Sequence, residues 1–234
     1  MTTLQILPGS SVIFGGRSVI VKPIPAVTLG AMKFPNAPQS LKMACGGNPK
    51  QHFGSLGRAP NSRQGEFAIM RGAFLVAQDY RDRRQEAEPR RGDRGGGARG
   101  RGGPPHVLEN ETLAGVLDGK IPVHIHCYRA DDMARMIDLS REFGFKITAF
   151  HHASEAYKIA PLLAASGVCI AGWSDWWGFK PEAEDGIREN VAFVDAAGGC
   201  AMMHSDISLL GERLNTEAAK AAAAGRRAGL TIPP

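Results

Sequence analysis

Two histidines and one aspartate stand at the ends of apolar runs, and their side chains are of the types that bind metal ions. His126 lies near the end of residues 121–127, His152 follows residues 146–150, and Asp206 follows residues 200–203. Two imidazoles and a carboxylate are a suitable ligand set for zinc or a similar divalent ion. A histidine at a strand end is also often only a hydrogen-bonded structural residue, and both interpretations stay open for each histidine.

His124 lies on the same strand face as His126, because side chains alternate with a period of two. The two positions differ in depth by about 6.6 Å, at about 3.3 Å per residue. We therefore expect His126 to reach the mouth of the site, and His124 to lie one layer deeper as a packing residue or as a partner of a ligand.

The elements that carry these residues alternate between short apolar runs and amphipathic stretches. Such alternation requires parallel strands joined by crossover helices, which favours a barrel or a doubly wound sheet. In both architectures functional groups gather where the strands end. The predicted strands are 121–127, 146–150, 168–171 and 200–204, and the predicted helices are 131–143, 154–165, 181–197 and 209–224.

Several motifs together resemble the metal-dependent amidohydrolase family, with the greatest likeness to its imidazolonepropionase-like and prolidase-like members. The runs VHIHCYRADD (123–132), HHASEAYKIA (151–160) and HSD (204–206) resemble the fifth, sixth and eighth strand motifs of that family. Further likeness lies in LPGS (7–10), LKMACG (41–46), WWGFK (176–180) and RLNTEAAK (213–220). The resemblance spans nearly the whole chain outside the Arg/Gly-rich segment.

This resemblance implies hydrolysis of an amide or related C–N bond at a divalent metal, with zinc as the expected ion. It implies that His126 and His152 are metal ligands, and that Asp206 is both a ligand and the general base. The resemblance also makes Lys42 a candidate ligand as a carboxylated lysine, against the alternative of a surface or salt-bridging lysine.

Three further residues are candidates for binding the substrate, which we expect to be a small molecule, for example a dipeptide-like one. Tyr128 and Arg129 directly follow the first ligand strand, and Tyr157 opens the helix after His152. Arg129 has the alternative of pairing with Asp131 or its neighbour. The tryptophans of residues 173–177 are expected either to wall the pocket or to pack in the core.

The chain departs from the family pattern in three places. It has no His-x-His pair before the Arg/Gly-rich segment, it stops soon after the eighth strand motif, and Gly47 stands where an acidic residue is usual. We therefore predict an α/β fold with an incomplete (β/α)8 TIM-type barrel of parallel strands, lacking the first strand and the small β-domain. A catalytically inactive barrel fragment, which persists by associating with itself as a homo-oligomer or with a longer relative, is the alternative to an active enzyme.

Composition divides the chain into an N-terminal part of the barrel (1–80), a disordered Arg/Gly-rich insertion (81–105) and a C-terminal part with the metal-site motifs (106–234). The formal charge of +5 is concentrated in residues 81–101, which hold eight arginines. Residues 91–103 resemble an RGG-type RNA-binding segment, but acidic neighbours and the lack of aromatic residues favour a plain linker. Nucleic acid is therefore not the expected partner.

The cysteines and the lack of a long apolar run point to a cytoplasmic protein without a membrane segment. Four cysteines lie far apart and form no CxxC pair. We interpret them as free, mostly buried thiols in a reducing compartment.

Overall fold

The computed structural model describes residues 2–87, 104–176 and 178–232, and its centre is a mostly parallel β-sheet. Six strands lie in the order β2-β4-β5-β6-β7-β8, with β4 to β8 parallel and β2 antiparallel to β4. The strands β1 and β3 form a separate antiparallel pair. The strands are β1 (Leu4–Ile6), β2 (Phe14–Arg17), β3 (Val19–Val21), β4 (Leu41–Ala44), β5 (Val123–Cys127), β6 (Ile147–His152), β7 (Cys169–Gly172) and β8 (Ala201–Met203).

Helices connect the parallel strands, as the alternating pattern predicts. In the helix that follows β5, the buried residues recur every three or four positions, and Gly144, with φ of 74°, ends it. The helices are α1 (Leu29–Met32), α2 (Gly47–Ser55), α3 (Arg63–Ala87), α4 (Leu108–Leu117), α5 (Ala130–Phe143), α6 (Ala160–Ser166), α7 (Asn190–Ala196), α8 (Ser208–Gly211) and α9 (Leu214–Arg227), with 3-10 turns at Ala156–Ile159 and Pro181–Ala183.

The two faces of the sheet have different chemistry because side chains alternate along each strand. Met43, Ile125 and Phe150 occupy paired positions on neighbouring strands and belong to the main apolar core. Phe74 of α3 is fully buried in the same core, with its ring centroid 4.7 Å from that of Phe145. The helices therefore cover the apolar face, and the residues of the other face remain available for a site.

The expectation of an α/β fold with parallel strands is confirmed. Within the described ranges β2 and β8 are the edges of the sheet, which is open rather than closed into a barrel. Between Pro181 and Ala197, helical structure is limited to the 3-10 turn and α7.

The helix α3 was not anticipated from the sequence. It runs from Arg63 to Ala87, so residues 81–87 of the predicted insertion are helical. Its buried residues Phe67, Met70, Phe74 and Ala77 recur at helical spacing, which explains why this stretch docks on the core. Residues 88–103 of the predicted insertion, which include the whole RGG-like segment, lie outside the described ranges.

The interpretation of the cysteines as free thiols is wrong. Cys45 is bonded to Cys127 and Cys169 to Cys200, and no cysteine of the chain is left free. Each bond joins residues that lie in or next to neighbouring strands, which brings the sulfurs together. Because cystines are usual in oxidising compartments, the argument from the cysteines to a reducing compartment loses its basis.

Thiol titration tests this pairing directly. We expect denatured, unreduced protein to show no reactive thiol, and protein reduced before titration to show all four cysteines. Thiols that react before reduction, in protein handled without reductant, would contradict the two bonds.

None of the helices in the described parts of the chain combines the length and the apolar character that crossing a membrane requires.

Candidate metal and hydrolase site

The polar face of the sheet brings a lysine and three histidines together on neighbouring strands. Lys42 of β4 is paired in register with His124 of β5, and His126 is paired with His151 of β6. His124 Nδ1 lies 2.9 Å from His151 Nε2, within hydrogen-bonding distance. His124 thus lies one layer below His126 and bonds to the imidazole of His151, which is in register with His126.

His152 breaks the alternation of β6. Its φ is 71° and that of Ala153 is 44°, both in the left-handed region that side chains other than glycine seldom adopt. As a result His151 and His152, although adjacent in sequence, both line the same cleft. Two consecutive residues in this conformation cost on the order of 1–3 kcal/mol each, and such strain is typically found at functional sites.

Among the residues that the structure describes, His152, His204 and Asp206 form a compact group of potential ligands. His152 Nδ1 lies 3.2 Å from His204 Nε2 and 3.6 Å from Asp206 Oδ2, and one ligand atom from each residue lies within 4.8 Å of the other two. Ligands of a tetrahedral zinc at about 2.05 Å are separated by about 3.3 Å. The two shorter distances therefore fit a shared ion.

His126 supplies a second observation that fits a metal. The residue is 2% exposed, and neither of its ring nitrogens has a hydrogen-bond partner among the described residues. Its ring centroid lies 4.5 Å from that of His152. Buried nitrogens without a partner are costly, so an ion that accepts imidazole as a ligand would relieve the cost.

The electrostatics keep these histidines neutral, which is the form that binds metal. Burial lowers the pKa of His126 and of His152 well below the usual value, and neighbouring charged groups lower them further. Burial also lowers the pKa of His204 to about 4 and that of His151 to about 2. Protons therefore do not compete with a metal for these nitrogens near neutral pH.

The charges of Asp206 and Lys42 each affect the pKa of the other residue. Asp206 has a side chain that is 48% exposed; burial raises its pKa, and the charges of Lys42 and Lys180 oppose this effect. Lys42 is buried and donates from Nζ to the Pro8 carbonyl at 3.2 Å. Lys42 is 6% exposed, so the alternative of a surface lysine is wrong; burial also lowers its pKa.

The three candidate substrate-binding residues have different surroundings. Tyr128 is buried, and its ring stacks on His152 with centroids 5.1 Å apart. Arg129 donates from Nε to Asp131 at 2.9 Å, which is the structural pairing named as its alternative. Tyr157 donates from its hydroxyl to the carbonyl of Asp185. The structure thus brings only Tyr128 of the three into contact with a candidate ligand.

Sequence reasoning did not assign a role to His151 or His204. His204 was visible only as part of the HSD motif, two residues before Asp206. His151 and His152 form a doublet that a regular strand would divide between its two faces, and the positive φ at His152 cannot be derived from the residue type.

A cleft of about 760 Å³ gives access to the cluster. This volume lies in the range of small-molecule sites. Its lining includes main-chain and side-chain groups from the N-terminal segment and from the loop after β8. The lining residues are Gln5, Leu7, Pro8, Gly9, Ser10, Lys42, His151, His152, His204, Ser205, Asp206, Ile207, Gly211 and Glu212.

Comparison with known proteins gives two similar proteins, whereas no family model matches the chain. The amidohydrolase tasK of Hapsidospora irregularis is 33% identical over 202 residues, covering 82% of this chain and 20% of the relative. The crystal structure of an amidohydrolase from Thermotoga maritima MSB8 superposes with a TM-score of 0.82 at 27% identity, covering 99% of this chain. The chain spans 57% of the length of that structure.

Proposed function

Since this chain belongs to the amidohydrolase superfamily, we propose that it is a metal-dependent hydrolase of amide or other C–N bonds. The observation that carries the proposal is the convergence of His152, His204 and Asp206 at the open cleft, with ligand atoms within 4.8 Å of one another. Two nitrogen donors and one carboxylate favour zinc among the common divalent ions.

The proposed ligands are His152, His204 and Asp206, with His126 and Lys42 as further ligands beside them. When bound there, a divalent ion lowers the pKa of a water molecule toward neutrality and polarises the carbonyl of the scissile bond. His124 and His151 hydrogen-bond to each other beside this group, which holds both rings in place. Neutral imidazoles leave their lone pairs free for the ion.

Asp206 is the proposed general base. Its carboxylate is half exposed at the cleft, so it can take a proton from the attacking water and deliver it to the leaving nitrogen. In its ammonium form Lys42 favours the ionised carboxylate, whereas carboxylated Lys42 would be a metal ligand and would lose this effect; Lys180 favours the ionised carboxylate in either case. Two roles for one carboxylate, ligand and base, are compatible because it has two oxygens.

A small molecule such as a dipeptide-like compound is the proposed substrate. The volume of the cleft suits such a ligand. Tyr128 is proposed to contact the substrate beside His152, whereas Arg129 and Tyr157 would have to leave their present partners to take part.

Metal analysis together with an amide-hydrolysis screen tests the proposal. We expect purified protein to retain about one divalent ion or more per chain, and chelation to abolish release of amines from N-acyl amino acids and dipeptides. The variant His152→Ala should lose the ion, and the exposed His52→Ala should keep it. Parent protein that neither retains zinc, manganese or cobalt nor hydrolyses any amide in their presence would overturn the assignment.

A further inference from the structure

The connection between β7 and α7 carries an aromatic wall beside the site. All three tryptophans of the chain lie in residues 173–177. The ring of Trp173 lies 4.5 Å from that of His152, and Trp176 and Phe179 pack on Trp173 at 5.3 and 5.8 Å between ring centroids. The position of this connection therefore decides what lies next to a proposed ligand.

Two charged residues fasten this connection to the first turn of α2. Glu182 accepts a hydrogen bond from the backbone N–H of Gly47, and Lys180 donates from Nζ to Asn48 Oδ1 at 2.8 Å. Lys180 Nζ also lies 3.2 Å from Glu182 Oε2. A carboxylate at a helix N-terminus is favoured by the helix dipole and by the unpaired N–H groups there.

The start of α2 is shaped to receive this carboxylate. A Cβ atom on Gly47 would lie 2.4 Å from Glu182 Oε2, and one on Gly46 would lie 2.6 Å from Glu182 Oε1. Gly46 also has a φ of 84°, which other residues rarely adopt. Only glycine at these two positions lets Glu182 approach the backbone.

Lys180 also links this fastening, the contacts of Glu182 and Lys180 with Gly47 and Asn48, to the proposed metal site. Its Nζ lies 3.8 Å from the centroid of the Tyr128 ring, in cation–π contact, and Tyr128 stacks in turn on His152. The contacts thus run without a gap from α2 through Lys180 and Tyr128 to His152.

We infer that Glu182 and Lys180 are positioning residues, which hold Tyr128 and the tryptophan-bearing connection against His152, a residue that lines the cleft. The inference rests on the proposed function in giving Tyr128 a contact with substrate. The fastening itself is independent of that function.

Tryptophan fluorescence tests the fastening without any substrate, because every tryptophan lies in this connection. In Glu182→Gln, Gly47→Ala and Lys180→Met we expect a red-shifted emission and a roughly twofold larger acrylamide quenching constant, as local opening exposes the rings. Zinc content should equal that of the parent. Glu184 is an exposed carboxylate in the same connection, so Glu184→Gln is the matched control. It should leave the emission, the quenching constant and the zinc content unchanged.

Kinetics with an amide found to be cleaved provides the second readout. We expect Lys180→Met to raise KM by roughly three- to tenfold with kcat changed less than about twofold, and Lys180→Arg to restore KM because it keeps the cation over Tyr128. Unchanged quenching in both Lys180→Met and Glu182→Gln overturns the inference, as does loss of zinc in parallel with the quenching change. If no amide is cleaved, the proposed function fails. The fluorescence result still shows whether Glu182 and Lys180 hold the tryptophan-bearing connection in place.

Discussion

The variant Asp206→Asn is expected to lower the rate of amide hydrolysis by about 10²- to 10⁴-fold, the usual contribution of a general base. Asparagine keeps an oxygen that can face a metal ion, but it cannot accept a proton from the attacking water. Asp206 lies at the cleft beside His152 and within the field of Lys42, so its loss removes the proposed proton acceptor. Steady-state rates at fixed zinc concentration measure the effect.

Metal content distinguishes the role of base from the role of ligand. We expect Asp206→Asn to retain part of its zinc, and Glu212→Gln, a carboxylate on the rim of the same cleft, to retain both zinc and activity. An Asp206→Asn protein that hydrolyses amides as fast as the parent would remove the aspartate from the mechanism.

Glu66→Gln is expected to stabilise the protein at pH 8 by on the order of 3 kcal/mol while leaving its stability at pH 4.5 nearly unchanged. Glu66 is fully buried, and burial raises its pKa to about 7; the nearby carboxylates of Asp132 and Glu182 add to the rise, while the Gly46 N–H and Arg63 oppose it. A glutamine retains an acceptor for the Gly46 N–H, which Glu66 binds at 2.8 Å.

The direction in which the free energy of unfolding changes with pH depends on whether the folded or the unfolded state binds the proton of Glu66 more tightly. The folded-state pKa of Glu66 exceeds its ordinary value of 4.5, so between about 4.5 and 7 the folded state binds a proton that the unfolded state has released. The contribution of protonated Glu66 to the free energy of unfolding is therefore fully present below pH 4.5, and it is lost as the pH rises from 4.5 to about 7.

Denaturant unfolding between pH 4.5 and 8, at one metal concentration, measures the dependence of the free energy of unfolding on pH. We expect Glu66→Gln to flatten the profile, although Asp132, whose pKa burial raises to about 6, keeps some slope in the same direction. Glu142→Gln, a half-exposed carboxylate on α5, serves as the control. Superimposable profiles for Glu66→Gln and the parent would contradict the raised pKa.

The strand ends were predictable because parallel strands place their carboxyl ends at one edge, and period-two alternation sorts the faces. This reasoning placed His126, His152 and Asp206 in one region and His124 a layer below. It could not find His204, because its inclusion depends on the path of the loop after β8. The pairing of Cys45 with Cys127 was equally inaccessible, since it requires knowing which strands are neighbours.

The N-terminal third was less predictable for a different reason. The sequence pattern predicted no helix between residues 63 and 80, yet α3 forms because Phe67, Met70 and Phe74 share one face and dock on the core. Packing on α4 and in the core outweighs the low helix propensity of the glycines inside this helix.

In a regular β-strand only every second side chain lies on a given face of the sheet. The left-handed pair at His152 and Ala153 lifts this restriction at the end of β6, where two successive imidazoles line one cavity. A single strand thereby supplies two cleft residues in succession, one that belongs to the group of potential ligands and one that hydrogen-bonds to His124.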